Sequence, residues 1–171
     1  MIHVVQIGPL PRAAALEAML PALSRTVGLE CVISPWQLDP DFAYHSNRNQ
    51  FHSTAIVKQL AALPGRTLGV TAVDLFVPVF SFVFGEAQLN GTAALVSVAR
   101  LQQEFYGLAA SDGLLTERLL KEAVHEIGHT FGLRHCDEWQ CAMSSSHAVE
   151  KIDLKSADLC PRCRTAVTGG S

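Results

Sequence analysis

The segment HEIGHTFGLRHC, residues 125 to 136, gathers three histidines, a glutamate, two glycines and a cysteine into twelve positions. Residues four apart on an α-helix differ by about 40° in azimuth, so His125 and His129 project from one face and can share one cation. Zn²⁺ is the favoured ion, because it accepts neutral imidazole and tolerates the tetrahedral geometry a helix can offer. Glu126 is turned by about 100° from the first histidine. It can stand beside the metal without ligating it, as a general base must. Gly132 readily takes the left-handed conformation that ends a helix, which lets the chain turn and bring His135 to the same ion. Three protein ligands leave a fourth position for water, the arrangement of a catalytic zinc. The bland alternative is a polar helix end, and it requires the glutamate, the glycine and the third histidine to coincide by chance.

A second cluster follows. Cys136, Cys141, Cys160 and Cys163 form two close pairs separated by a loop, the spacing of a closed four-thiolate zinc site. Such a site has no open position and would be structural, tying the end of the chain to the end of the histidine-bearing helix. Local disulfides and a redox Cys-x-x-Cys are the alternatives. The redox motif normally opens a helix after a strand in a thioredoxin-like unit, whereas this one lies late in the chain with a matching pair. Cys31, in the apolar run LECVIS, reads as a small buried hydrophobe. His3, His45, His52 and His147 lack ligand-like spacing, although His147 closely follows Met143. Lys151, Lys155, Arg162 and Arg164 are interspersed with Glu150, Asp153 and Asp158 and read as a solvated face.

The elements that must position these groups are legible from periodicity. HVVQIG (3–8) reads as a strand, and PRAAALEAMLPALSRTVG (11–28) as a helix closed near Gly28, with Pro21 predicting a kink or restart. LECVIS (29–34) reads as a second strand and residues 35–49 as loop. QFHSTAIVKQLAAL (50–63) has a helical apolar face ended by Pro64-Gly65. Strands are expected at 67–75, 80–88 and 93–101, the last two joined by a hairpin at Asn90-Gly91. LLTERLLKEAVHEIGHTFGL (114–133) is the most persuasive helix. The order β-α-β-α-β-β-β-α predicts an α/β (α+β) fold, a mixed sheet with helices packed against it.

Composition sets outer limits. At 171 residues, 49% apolar and 17% charged, the chain is globular and long enough for one domain with a real core. A net charge of −3 offers no electrostatic footprint for nucleic acid or acidic lipid. No apolar run reaches the roughly eighteen residues needed to span a bilayer. His3 and Gln6 interrupt the apolar start, which lacks a basic flank, so a buried strand and a cytoplasmic protein are expected. Five cysteines in that compartment are read as thiols or metal ligands.

The pattern HExxHxxGxxH resembles the metzincin metallopeptidases. The continuation narrows the likeness: Cys136 after His135, four residues, Cys141, one residue, Met143, and later Cys160-Pro161-Arg162-Cys163. This resembles the archaemetzincins, with a spacer of sixteen residues after Met143, one shorter than the family's. The blocks FVFGEA (82–87) and RNQF (48–51) resemble the family more loosely. The resemblance implies a zinc metallopeptidase, a hydrolase of peptides or proteins. Its metzincin-like sheet would have a backing helix and an active-site helix within residues 1–132, and a small zinc-bound part within 133–171. It implies a catalytic zinc on His125, His129 and His135, a zinc-bound water activated by Glu126, and Met143 in the turn beneath the metal. Together with the four-cysteine site this makes two Zn²⁺ per chain, in a monomer that binds neither nucleic acid nor membrane. It also implies that an edge strand at the cleft rim pairs with extended substrate, for which FGEAQ (84–88) is the candidate. Neither Tyr44 nor Tyr106 is placed by any motif as an oxyanion stabiliser. A non-catalytic zinc-binding interaction protein retaining the motif is the competing expectation.

Overall fold

Ile2, Val4, Val5 and Ile7 are all fully buried, as expected of a strand covered on both faces. The strand they form, β1 (Ile2–Ile7), lies inside a five-stranded sheet in the computed structural model, which describes residues 1–169. Gly170 and Ser171, the end of the expected carboxy-terminal part, lie outside the described residues. After β1 come α1 (Ala13–Val27), β2 (Cys31–Leu38), β3 (Tyr44–His45), β4 (Gln50–His52) and α2 (Ser53–Ala61). Then follow β5 (Arg66–Thr71), β6 (Leu75–Phe76), β7 (Gly85–Ala87), β8 (Ala93–Ser97), α3 (Asp112–Thr130), α4 (Val149–Leu154) and α5 (Pro161–Gly169). The large sheet has the order β2-β1-β5-β8-β7, and β3-β4-β6 form a small second sheet. Within the large sheet β7 alone is antiparallel to its neighbour.

This is the mixed α/β architecture expected, with differences in detail. α1 runs without interruption through Pro21. Pro21 and Glu17, whose carbonyl loses its donor, both face solvent, where water satisfies the carbonyl. β2 continues through Pro35 to Leu38, although that stretch was expected to be loop. It is an edge strand, where a missing N–H is tolerated, and its register with β1 slips between Val4 and Gln6. Residues 50–52, expected to be helical, form β4 instead and pair with β3 and β6. The long strand expected at 80–88 reduces to β7, and 77–84 is irregular apart from one bridge between Leu75 and Val83. The Asn90-Gly91 hairpin is present, with Asn90 at φ 57.

α1 and α3 pack together on one face of the sheet and α2 covers the other. α3 begins where Ser111 Oγ accepts from the N–H of Leu114 at 3.2 Å, a side-chain N-cap. Its Leu115, Leu119, Ala123, Val124 and Ile127 face the core. Each large apolar side chain so buried contributes about 1.5–3 kcal/mol, enough to make α3 a rigid platform.

The segment after α3 folds back on it through charged side chains. Arg118 makes a bidentate pair with Asp153 at 2.7 and 2.8 Å and also donates to the carbonyl of Leu101. Lys155 is not part of a solvated face. Its side chain is 1% exposed, its Nζ lies 3.1 Å from Glu122 Oε1, and it donates to the carbonyl of Ser144. Removing one partner of such a pair strands a charge in the interior. Lys155→Met is therefore expected to lower stability by about 3–5 kcal/mol, with most of the loss recovered by adding Glu122→Leu. Urea denaturation of the parent and the two variants checks this, and equal loss in the single and double variants would contradict it.

Candidate active site

α3 ends where the sequence changes from helix former to glycine. Gly132 adopts φ +89, its N–H donates to the carbonyl of His129 at 3.0 Å, and the N–H of Leu133 donates to that of Gly128 at 3.1 Å. These paired bonds are the closure a left-handed glycine permits. They reverse the chain so that His135 returns to the face carrying His125 and His129. The ligand-capable nitrogens of the three rings all lie within 4.8 Å of one another.

Hydrogen bonding decides what these nitrogens can do. His125 Nδ1 lies 2.8 Å from the carbonyl of Ala142, and His129 Nδ1 lies 2.7 Å from that of Leu133. A carbonyl only accepts, so each Nδ1 carries the proton and each Nε2 of a neutral ring presents a lone pair. Those two Nε2 atoms are 3.2 Å apart. Burial, the largest influence on all three histidines, pushes their pKa values down, most strongly at His125, so protonation does not relieve the opposition. A divalent cation between the lone pairs does. The donor set, neutral imidazoles alone, suits zinc.

Glu126 is nearly fully buried beside the histidines. Burial first, then the neighbouring Glu122 carboxylate, raises its pKa well above the ordinary carboxylate range, against the opposing pull of Lys155. The side chain has room because β7 passes it at a glycine. A Cβ on Gly85 would stand 2.9 Å from Glu126 Cγ and 2.4 Å from the carbonyl of Leu95. Glu86 points the other way, accepting from Ser53 Oγ at 2.6 Å and Thr54 Oγ1 at 2.9 Å at the start of α2. Strand β7 is thereby fixed at the sheet edge, directly over Glu126.

A cleft runs along this edge on both sides of the histidines. One lobe, about 300 Å³, lies between residues 80–85 and 145–147 and reaches Glu122, His125, Glu126 and His135. The other, about 390 Å³, lies against Gly85–Leu89 and Arg134 and touches all three histidines. His147 lines the first lobe, whereas Tyr44 and Tyr106 line neither. Tyr106 donates to the carbonyl of Arg100 and Tyr44 to Asn49. His3 packs against Trp36, and His45 and His52 against Phe76, away from the cleft.

The sulfurs of Cys136, Cys141, Cys160 and Cys163 form a second cluster within 4.8 Å, and no disulfide joins them. Burial raises Cys136, but hydrogen bonds from the Glu138 backbone, Arg162, Cys160 and Cys163 bring it down to about 7. Burial and crowding by the other thiols push Cys163 and Cys141 up. The crowd cannot ionise fully by itself and suits a soft divalent cation. Cys31 sits apart in β2, buried.

The two clusters touch through the backbone. Cys136 N–H donates to the carbonyl of Met143, and Cys141 Sγ accepts from the N–H groups of Met143 and Cys160. The residue between Cys141 and Met143 is Ala142, whose carbonyl orients His125. Met143 itself is fully buried against α3, and a Cβ on Gly128 would fall 2.3 Å from its sulfur.

These are contributors that motif reading missed. The orienting carbonyls of Ala142 and Leu133 carry no side-chain signal. Glu122 did carry one, because it stands four residues before Glu126 on the same helix face.

A buried helix carrying two histidines and a glutamate, with a third histidine returned beside them by the turn at Gly132 and an edge strand above, has the arrangement of the zinc metallopeptidases. Comparison with known proteins agrees. Residues 43–168 match Peptidase family M54. An archaemetzincin of Methanocaldococcus jannaschii is 47% identical over 133 residues, covering 78% of this chain and 74% of its own. One from Haloquadratum walsbyi is 37% identical, covering 95% and 96%. Among solved structures, a zinc-dependent peptidase from Methanocorpusculum labreanum superposes with TM-score 0.90 at 29% identity, covering 98% and 100% of the two chains. The archaemetzincin of Methanopyrus kandleri gives 0.85 at 34%, covering 99% and 94%. The chain belongs to Peptidase family M54, the archaemetzincins, and is a zinc metallopeptidase acting on peptides or proteins. Among the described residues no helix is long and apolar enough to cross a membrane.

The contact between β7 and the glutamate yields a direct expectation. Gly85→Ala should displace Glu126 or the strand and cut turnover by up to about 10²-fold, the scale of a 1 Å misplacement. Zinc content should stay at the parental level. Steady-state kinetics with metal analysis checks this, and parental turnover would show the close approach to be immaterial.

Proposed function

We propose that the chain, as a single metallopeptidase domain acting as a monomer, hydrolyses peptide bonds with Glu126 as general base beside a zinc held by His125, His129 and His135. A second, structural zinc is held by Cys136, Cys141, Cys160 and Cys163. The observation that carries the reading is the pair of Nε2 lone pairs 3.2 Å apart, with both Nδ1 atoms committed to carbonyls and a buried glutamate alongside. When bound there, zinc supplies a Lewis acid that polarises the scissile carbonyl and acidifies water to a pKa of about 7.

The remaining steps belong to the protein. Extended substrate pairs with the outer edge of β7, since β8 occupies only its inner edge. This lays the scissile bond between the two lobes of the cleft. Glu126 accepts a proton from the attacking water on a carboxylate oxygen and returns it to the leaving amine nitrogen. Burial against β7 shields the carboxylate from bulk water and keeps it from swinging into the metal's coordination sphere. Among the described residues no side chain pairs with the Glu126 carboxylate, and this favours the enzyme over a non-catalytic binding module.

Glu126→Gln is expected to keep the fold and the zinc while losing about 10²–10⁴-fold in rate. A mass-spectrometric screen of peptide-library cleavage by both proteins tests this, and normal cleavage by the variant would remove Glu126 as base. The two metal sites make a separate expectation. Cys136→Ser should weaken both zincs, because residue 136 adjoins His135 and bonds to Met143, whereas Cys163→Ser should mainly weaken the structural one. Competition titration distinguishes the variants. Equal loss of the catalytic zinc in both would argue against coupling through residues 135 and 136.

A further inference from the structure

The block RNQF takes no part in the metal chemistry, yet its polar side chains reach the wall of the cleft. Arg48 Nη2 donates to the carbonyls of Phe80 at 2.6 Å and Ser81 at 3.4 Å, and Arg48 Nε donates to Gln50 Oε1 at 3.1 Å. Gln50 is buried and donates from Nε2 to both the Ser81 carbonyl and Asp74 Oδ2, each at 2.9 Å. Asp74 accepts two bonds of 2.8 Å from Arg100. The Arg100 guanidinium lies 4.1 Å from the centre of the Phe82 ring, as that of Arg48 does from Phe76. Arg48, Gln50 and Arg100 thus grip residues 77–84 from behind, and Asp74 braces two of the three.

The segment needs that grip. Its backbone bonds are few: the Phe80 N–H to Val77, the Val83 N–H to Leu75 and, at its far end where Phe84 is buried, the Ser97 N–H to the Phe84 carbonyl. Val79 and Phe80 are 82% and 54% exposed, so core packing does not fix them. Charge-assisted bonds to carbonyls, and guanidinium groups stacked on aromatic rings, are what remain. The segment forms one wall of the 300 Å³ lobe beside Glu126, presenting Phe80, Phe82, Val83 and Phe84 towards residues 145–147.

Resting on the reading of this cleft as the site of peptide hydrolysis, we propose that Arg48, Gln50, Asp74 and Arg100 are positioning residues for substrate specificity. They hold the 77–84 wall at the spacing that admits a bulky apolar side chain of the substrate next to the scissile bond. A preformed wall spares the substrate the cost of ordering it, so the network acts on binding more than on the chemical step.

The test compares the zinc-loaded parent with Arg48→Met, Gln50→Leu and Arg48→Lys. Two peptides are used that differ only in carrying Phe or Ala at the position facing the lobe. Arg48→Met and Gln50→Leu should raise KM for the Phe peptide by about tenfold, within the range a pocket contact commands. Values of kcat, and KM for the Ala peptide, should stay within about twofold. Arg48→Lys, which keeps a donor for the Phe80 carbonyl, should recover part of the loss. Hydrogen–deuterium exchange should rise in residues 77–84 of the two disruptive variants and not in α3. Binding of both peptides by fluorescence anisotropy on the Glu126→Gln background reads the same preference without turnover, so failure of hydrolysis alone does not decide it. Parental exchange in 77–84, or equal losses for both peptides, would overturn the proposal. If Arg48→Met does not fold, the nearly isosteric Gln50→Leu carries the same comparison.

Discussion

The Nε2 lone pairs of two neutral imidazoles stand 3.2 Å apart, an opposition that a shared cation would relieve, and the rest of the structure serves to hold them so. Each ring needs its Nδ1 proton taken by a carbonyl, and the fold supplies the two carbonyls by different routes. Leu133 comes from the reversal at Gly132, within the same helix end. Ala142 comes from a loop stapled between Cys141 and Met143. The four-sulfur cluster is therefore a device for placing one carbonyl oxygen as well as for tying down the end of the chain. Carbonyls that accept from Nδ1 in this way fix ring tautomer and orientation, and metal affinity depends on them.

The same helix must also be kept straight, dry and close to the sheet edge. Its apolar face packs on the sheet and α1, while Arg118, Lys121 and Glu122 bind the segment that contains α4 through ion pairs and carbonyls. Buried charges of this sort are costly unless paired. Here the pairing joins the helix that carries Glu126 to the loop that forms the far wall of the cleft, since Lys155 bonds Ser144 as well as Glu122. On the near wall, Gly85 lets β7 approach Glu126, and Glu86 anchors that strand to α2. The helix carrying Glu126 and the free edge of β7 are thus referenced to the same sheet.

What the sequence revealed follows from how local each signal was. His125, Glu126 and His129 are related by helical spacing alone, and Gly132 by a single backbone conformation, so their convergence with His135 was readable. The sheet-and-helix order was readable for the same reason. Pro35 misled because a proline excludes a residue from an inner strand but not from an edge, and edge position is a tertiary fact. Residues 50–52 were absorbed into the pattern of α2 because their pairing partners, β3 and β6, are short and flank them at a distance in sequence. Lys155 looked solvated among acidic neighbours, yet its partner Glu122 lies 33 positions earlier, on another element. No periodicity reports such a pair.

Everything above turns on one cation held where the three histidines converge and a second where the four sulfurs meet. X-ray diffraction from crystals of the zinc-loaded protein, recorded on both sides of the zinc absorption edge, locates both. Two anomalous peaks are expected, one about 2.0–2.1 Å from the Nε2 atoms of His125 and His129 and from a ring nitrogen of His135, the other about 2.3 Å from four cysteine sulfurs. A lone peak at the cysteines, or a histidine-site peak ligated by Glu126, would contradict it.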